Sequence, residues 1–217
     1  MTNDPSVGNE SQALQRDRLT LLAYGMVAAF GFSVAVIGPA MPLLRDDLDI
    51  SRTVGGLHFT AIALGSVAAG MVVERTVVAW GRRAVFWSGG AGVAVGALLI
   101  GAGWTPAVTL SGAVLIGVFG ASALVVSQAT LSDHHQAQRA VALTEANIAM
   151  SVGSVVPALL IGALVAVGAG WRPALLVPVV IWLVLAWLRR GERFPPPHRT
   201  RDSEGKQRRL PRRYWLY

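Results

Sequence analysis

The sequence predicts an all-α, polytopic membrane protein with six transmembrane helices. Three observations predict this fold class: six apolar stretches, a low content of charged residues, and basic residues concentrated in alternate gaps between the stretches. A hydrocarbon core about 30 Å thick needs roughly 20 helical residues to cross it. The predicted bundle covers residues 19–188, with spans at 19–41, 53–73, 84–103, 106–131, 140–168 and 172–188.

The distribution of Lys and Arg predicts the orientation of this bundle. With the N-terminus in the cytoplasm, 16 of the 19 basic residues fall in cytoplasmic segments, and Arg45, Arg52 and Arg172 fall outside. Because membrane orientation follows this bias, both termini are expected in the cytoplasm. Residues 1–18 then form a polar cytoplasmic N-terminus. Residues 189–217 form a basic cytoplasmic linker that ends like the start of a seventh span.

Composition excludes several other classes of protein. Hydrophobic residues make up 53% and charged residues 14% of the chain, whereas a soluble domain has about 25% charged residues. The absence of cysteine excludes disulfides and thiol chemistry. Ten of the 19 basic residues lie in the tail, which favours contact with anionic lipid headgroups and not with nucleic acid. No constellation for hydrolysis or phosphoryl transfer is present, so neither an enzyme nor a cofactor is expected.

Two local patterns predict how the helices end and pack. Pro39 and Pro42 are expected to end the first helix, because proline lacks a backbone donor and clashes with the preceding turn. In the third span, Ser88, Gly92 and Gly96 recur at intervals of four. Small residues on one face allow helix backbones to approach closely in lipid.

Short motifs at the span ends resemble those of a transporter family. They are Gly38-Pro39-Ala40-Met41-Pro42-Leu43-Leu44 leading into Asp47-Leu48-Asp49-Ile50-Ser51, then Gly81-Arg82-Arg83, and then Gly170-Trp171-Arg172-Pro173-Ala174. With the predicted topology, they make residues 18–190 resemble the N-terminal six-helix half of a major facilitator superfamily (MFS) transporter. The resemblance implies secondary active transport of a small organic solute by alternating access, in a multi-pass protein of the inner or plasma membrane.

The loop between the second and third spans departs from the family pattern. In the family, an acidic residue of this loop helps to latch the cytoplasmic side. An ungapped alignment on Gly81-Arg82-Arg83 places Glu74, Val78 and Ala79 where Gly, Asp and the first basic residue belong. The latch is therefore weakened here, or Glu74 performs it. The loop candidates act in gating or as headgroup anchors that set topology; they are Glu74, Arg75, Gly81, Arg82 and Arg83. On the fifth span the antiporter signature is also degraded, which argues against drug/proton antiport.

Polar residues inside the predicted spans are candidates for the substrate or proton pathway, because such groups are costly in lipid. The candidates are Tyr24, Gln128, Glu145, Asn147 and Ser151. Glu145 is either a proton or substrate site or an interfacial carboxylate paired with Arg139. Asn147 and Ser151 begin a small or polar face that continues through Ser154, Ala158 and Gly162. That face lines a cavity or serves close helix packing. His58 is expected near the outer headgroups.

No metal site is expected from the sequence. His134 and His135 are adjacent in the fourth gap, where they point in different directions on a helix. A metal ion would therefore need ligands from elsewhere, and a solvated loop is the simpler interpretation.

One six-helix bundle offers only half of the cavity that the family uses. The chain is therefore expected either to be truncated or to pair with a second six-helix half, its own C-terminal half or a second copy. An alternative function, from another class, is a non-transporting six-helix membrane protein that acts as an assembly factor or is an inactive transporter remnant.

Overall fold

The computed structural model describes residues 14–189, 191 and 194, and these residues form helices and short connections without any strand. The α-helices of this part are α1 (Arg18–Ala35), α2 (Ile37–Leu48), α3 (Arg52–Ala102), α4 (Pro106–His135), α5 (Arg139–Ala166) and α6 (Leu176–Arg189). Short 3₁₀ helices, Gln136–Gln138 and Arg172–Leu175, precede α5 and α6. The all-α prediction is thus confirmed.

The helices α1 and α2 follow each other across a single residue, Val36. The prediction that Pro39 and Pro42 end the first helix is wrong, because α2 continues past both to Leu48. Pro39 stands in the first turn of α2, where a missing backbone donor is tolerated. Pro42 lies inside α2 and removes one hydrogen bond, to the carbonyl of Gly38, which is an exposed residue. The helix ends at Asp49, whose left-handed backbone (φ 49°, ψ 48°) stops the hydrogen-bond ladder.

The 51-residue helix α3 reverses direction at Gly81. A Cβ at Gly65 would lie 2.8 Å from the Val114 carbonyl oxygen, and one at Gly96 would lie 2.6 Å from that of Gly112. A straight helix would separate residues 65 and 96 by about 46 Å, yet both contact the same short stretch of α4. The helix is therefore a hairpin of two arms, residues 52–80 and 82–102.

Gly81 makes this reversal possible. Its backbone (φ 83°, ψ 156°) leaves the helical region, in a conformation that residues with a Cβ rarely adopt. The remainder of the gap that was expected between the second and third spans is helical. The sequence pattern marked this region as a break because of its charges, but only one residue leaves the helix.

Small residues set the distance between α4 and the second arm of α3. A Cβ at Gly92 would enter the Phe119 ring, and one at Gly96 would meet the backbone of α4. The predicted close approach of backbones is confirmed at Gly96, whereas Gly92 makes room for the Phe119 side chain. Ser88 instead donates a hydrogen bond to the Val85 carbonyl within its own arm, at 3.2 Å.

The helix α5 packs against α1 in the same way. A Cβ at Gly31 would lie 2.5 Å from the Met150 carbonyl oxygen, and one at Gly153 would run into the Ala28 backbone. After α5, Gly168 and Gly170 both have φ of 75°, and they turn the chain toward the buried Trp171. This turn places α6 beside α1 and the second arm of α3.

Three helical stretches of the described chain are long and apolar enough to cross a membrane: Arg18–Ala35, Arg52–Ala102 and Pro106–Ala166. A shorter apolar helix covers Arg172–Leu188. Large apolar side chains are exposed on the outside of the bundle, for example Met71, Leu159 and Trp187, each more than two-thirds exposed. An outer surface of this kind needs lipid or another apolar surface around it.

The backbone contact at Gly96 predicts a stability difference between two Gly→Ala variants. Gly96→Ala should lower the free energy of unfolding by about 1–3 kcal/mol, because its methyl group would press on backbone that cannot move aside. Gly162→Ala, on α5, has no atom within 4 Å of the new Cβ and should leave stability unchanged or slightly higher. Unfolding by SDS in mixed micelles measures both. Equal effects of the two changes would contradict the contact.

Candidate functional site

A groove of about 270 Å³ lies between α1, the first arm of α3 and α5. Its lining residues are Phe30, Gly31, Val34, Ala35, Ile62, Ser66, Met150 and Ser154. The α1–α2 pair runs from 18 to 48, the arm from 52 to 80 and α5 from 139 to 166, so these residues lie near the middle of each. The groove therefore stands at mid-height in the bundle.

The polar groups of the groove are two serine hydroxyls. Ser66 donates to the Ile62 carbonyl and Ser154 to the Met150 carbonyl, each at 2.9 Å within its own helix. Since a hydroxyl has one donor and two acceptor positions, both oxygens can still accept a hydrogen bond. The rest of the lining is apolar or aromatic. Such a surface suits a small organic solute that carries few charges.

A second cavity, of about 300 Å³, lies between the end of α3 and the residues from Arg172 to Leu176. Its lining is apolar apart from Arg172. This cavity stands at the ends of helices rather than at their middle. The groove is therefore the better candidate for a translocation path.

The predicted candidates Glu145 and Tyr24 come together in the structure. Arg16 holds the Glu145 carboxylate with two hydrogen bonds, at 2.9 Å from Nε and 2.5 Å from Nη2. The Tyr24 hydroxyl donates to the same carboxylate at 3.1 Å. The expected pairing of Glu145 with Arg139 is wrong; the partner is Arg16, from the segment before α1. The hydrogen bond and charge of Glu145 raise the pKa of the Arg16 guanidinium, so this pair is ionised at neutral pH.

A second polar cluster adjoins the first, where α1 begins and α4 ends. Asp17 caps α1, accepting hydrogen bonds from the Thr20 backbone (2.9 Å) and hydroxyl (2.6 Å). His134 Nε2 lies 2.7 Å from the other Asp17 oxygen, and His135 Nε2 lies 2.7 Å from the Thr20 hydroxyl. Partial burial acts to raise the pKa of Asp17, but the hydrogen bonds from Thr20 and His134 outweigh it and hold that pKa below its usual range.

His135 is the more buried of the two histidines. Burial, with a smaller contribution from the neighbouring His134, lowers the pKa of the His135 ring, so the ring is neutral at pH 7. Because the Thr20 hydroxyl gives its proton to Asp17, it accepts from His135, and Nε2 of His135 therefore carries the ring proton.

Beside the break at Gly81, Arg82 forms a charged contact at the start of the second arm of α3. Its Nη2 lies 2.6 Å from the Asp133 carboxylate on α4, and the Arg82 side chain is only 10% exposed. Glu74, Arg75 and Arg83 are exposed, and Glu74 forms no ion pair within the part of the chain that the structure describes. The acidic partner of Arg82 is therefore Asp133, which the sequence patterns did not single out.

At the opposite ends of the helices, Asp47 joins α2 to the turn before α6. The Trp171 indole donates to the Asp47 carboxylate at 3.0 Å, and Arg172 donates to the same oxygen at 3.2 and 3.3 Å. The Arg172 guanidinium also stacks over the Trp171 ring, 5.5 Å from its centroid. Through these hydrogen bonds, the motif that contains Trp171 and Arg172 links α2 to the turn before α6.

The remaining predicted residues lie apart from these clusters. Asn147 and Ser151 are exposed on α5, and Ser151 donates to the Asn147 carbonyl at 2.9 Å. Gln128 is half-buried on α4. His58 is fully buried between the first arm of α3 and α4, with Nε2 at 2.9 Å from the Thr109 hydroxyl. None of these four lines the groove.

Of the eight lining residues, sequence reasoning named only Ser154, and it missed Phe30 and Ser66 among the others. Ser66 could have been found as a hydroxyl inside an apolar span. Phe30 carries no such signal, because an aromatic residue in an apolar stretch is ordinary.

An apolar helical bundle with a groove at mid-height and ion pairs near its helix ends is typical of multi-pass helical membrane proteins. The profile of the Major Facilitator Superfamily matches residues 23–216, and the chain belongs to that family. Members of this family are generally membrane transporters and not enzymes, so the chain is of the membrane-transporter type. No curated protein matches the chain.

The Arg82–Asp133 contact predicts which acidic residue stabilises the region around the Gly81 break. Asp133→Asn leaves a nearly buried guanidinium without its counter-charge, and the free energy of unfolding should fall by about 3 kcal/mol. Glu74→Gln is the matched control. It removes an exposed carboxylate of the first arm of α3, and its effect should stay within about 0.5 kcal/mol. The assignment fails if Glu74→Gln lowers the free energy of unfolding in SDS as much as Asp133→Asn does.

Proposed function

We propose that this chain forms one six-span half of a secondary active transporter that moves a small organic solute by alternating access. The observation that carries the proposal is the groove at mid-height between α1, the first arm of α3 and α5. Transporters of this type bind their substrate near the bilayer midplane, where two bundles meet. The second half is supplied by further sequence of the same polypeptide or by a second copy of this chain, in the inner or plasma membrane.

The lengths of the helical stretches support a count of six spans. At 1.5 Å per residue, the 51 residues of α3 and the 61 residues from Pro106 to Ala166 would extend about 77 and 92 Å. Either length exceeds twice a hydrocarbon core of about 30 Å. Each stretch contains a break, at Gly81 and at Gln136–Gln138. We therefore propose two spans in each, one in α1–α2 and one in α6, with both termini in the cytoplasm.

The polar clusters support this arrangement. Arg16, Arg82 and Asp133 lie where α1 begins, α3 reverses and α4 ends, which is one face of the proposed bundle. Asp47 and Arg172 lie at the other ends of the helices. Most of the basic residues fall on the first face, as the orientation rule requires of a cytoplasmic side.

Because the chain has no cysteine, single-cysteine variants can be labelled without background. Ala137→Cys lies in the 3₁₀ turn before α5, and Trp104→Cys lies between α3 and α4; both native residues are exposed. A membrane-impermeant maleimide should label position 104 in intact cells and position 137 only in inverted vesicles. Labelling of both positions from one side would contradict the topology.

Single-cysteine variants of the same cysteine-free chain also test whether water reaches the groove. Ser154 lines it, whereas Val155, the next residue of α5, is exposed but does not. A thiol reacts as the thiolate, which forms in water and not in lipid. A charged methanethiosulfonate should therefore modify Ser154→Cys at least about ten times faster than Val155→Cys. Equal rates would mean that the groove faces lipid.

We propose Glu145 as the group that carries a proton during transport. It would have to leave Arg16 and Tyr24, its hydrogen-bond partners, before it could accept one. In proteoliposomes that contain the complete transporter, Glu145→Gln should abolish the uptake of protons reported by an internal pH dye. Tyr24→Phe, which removes one hydrogen bond, should retain it. Proton uptake unchanged by Glu145→Gln would exclude this role.

A further inference from the structure

The histidine pair at the end of α4 has a third potential ligand beside it. Asp17, His134 and His135 each offer one ligand atom, and these atoms all lie within 4.8 Å of one another. From the sequence, the two histidines lacked a further ligand; the fold brings Asp17 to them from 117 residues away. We propose that these three residues bind a divalent transition-metal ion of the zinc type.

The separations are close to those that a metal ion needs. Zinc binds imidazole nitrogen and carboxylate oxygen at about 2.0–2.2 Å, so its tetrahedral ligand atoms are roughly 3.3 Å apart. Here His134 Nε2 and Asp17 Oδ2 are 2.7 Å apart, and no separation in the set exceeds 4.8 Å. Binding thus requires one pair to open by roughly 0.6 Å and the others to close by at most about 1.5 Å. His134 and Asp17 are exposed, with 34% and 44% of their side chains accessible, and can rotate by this amount.

The carboxylate of Asp17 is already oriented for this role. Both hydrogen bonds from Thr20 go to Oδ1, which leaves Oδ2 directed toward His134. Such supporting hydrogen bonds hold a metal-ligating carboxylate in place. The capping of α1 and the binding of a metal therefore use different oxygens of the same side chain.

The imidazoles can supply nitrogen lone pairs without any co-reactant. In His135 the ring proton moves from Nε2 to Nδ1, so that Nε2 can bind the ion and no proton is gained or lost. In His134, whose Nε2 faces the Asp17 carboxylate, the bridging proton likewise leaves Nε2 when the ion binds, either to Nδ1 of the same ring or to solvent. The Thr20 hydroxyl keeps its hydrogen bond to Asp17 throughout.

The local charges favour a cation at this place. The histidines occupy the last turn of α4, where the partial negative charge of a helix C-terminus stabilises positive charge. Two guanidinium groups next to the cluster in sequence or contact are paired with carboxylates, Arg16 with Glu145 and Arg82 with Asp133. Imidazole ligands select zinc, copper or nickel over magnesium or calcium. A bound ion joins the start of α1 to the end of α4.

The test is a titration of the full chain in detergent with zinc chloride, using an affinity tag without histidine. The wild type should bind one equivalent, and its thermal midpoint should rise with zinc concentration. Asp17→Asn and His134→Ala should each weaken binding by at least about tenfold. Asparagine is itself a good N-cap, so Asp17→Asn removes the ligand charge while α1 remains capped. Magnesium chloride should give no saturable binding.

His198→Ala is the matched control, because it removes the histidine of the C-terminal tail, outside the described residues, and should bind zinc like the wild type. Three results would overturn the site: no saturable zinc binding by the wild type, unchanged binding in Asp17→Asn and His134→Ala, or loss of binding in His198→Ala. Because the readout is binding and not transport, the outcome does not depend on the proposed function.

Discussion

The direct approach of α3 to α4, backbone against backbone, is the constraint on which the rest of the bundle depends. In lipid, helices gain little from burying apolar surface against one another, so association depends on close van der Waals contact. Gly65 and Gly96 of α3 meet Gly117 and Gly112 of α4 without any side chain between them. This contact fixes both arms of α3 on one helix. It also places the first arm where it can form one wall of the groove.

Polar groups divide between the middle and the ends of the bundle. At mid-height, the hydroxyls of Ser66 and Ser154 each donate a hydrogen bond within their own helix, and Ser66 also lies 3.4 Å from the Gly117 carbonyl oxygen of α4. Both hydroxyls therefore cost little in an apolar setting. Near the helix ends, charged groups connect different helices, as in Arg82 with Asp133 and Arg16 with Glu145. The helix ends are thereby joined by ion pairs, whereas the middle of the bundle is held together mainly by packing.

The parts of the fold that depend on local patterns could be predicted from the sequence. Apolar length predicted the helices, and four-residue spacing predicted the close packing at Gly92 and Gly96. Local rules failed at Pro42, which α2 accommodates with the loss of one hydrogen bond, to the carbonyl of the exposed Gly38. They also placed a long gap where only Gly81 leaves the helix.

The candidate site was predictable only in part, because its contacts join residues that are distant in the chain. Glu145 was singled out as an unusual carboxylate, but its partner Arg16 is 129 residues away and no spacing rule connects them. The same holds for Asp133 with Arg82 and for Asp17 with the two histidines. In each case, the chemistry of one partner was visible in the sequence, and the pairing came from the fold.

The hydrogen bonds between Asp47 and the Trp171–Arg172 pair have a consequence for biogenesis. Its partners are 124 and 125 positions apart, so the carboxylate made early in translation has no partner until nearly the whole bundle has left the ribosome. The contact between Asp47 and these two residues can therefore form only late in synthesis, and it joins α2 to the turn before α6 once that turn has been made.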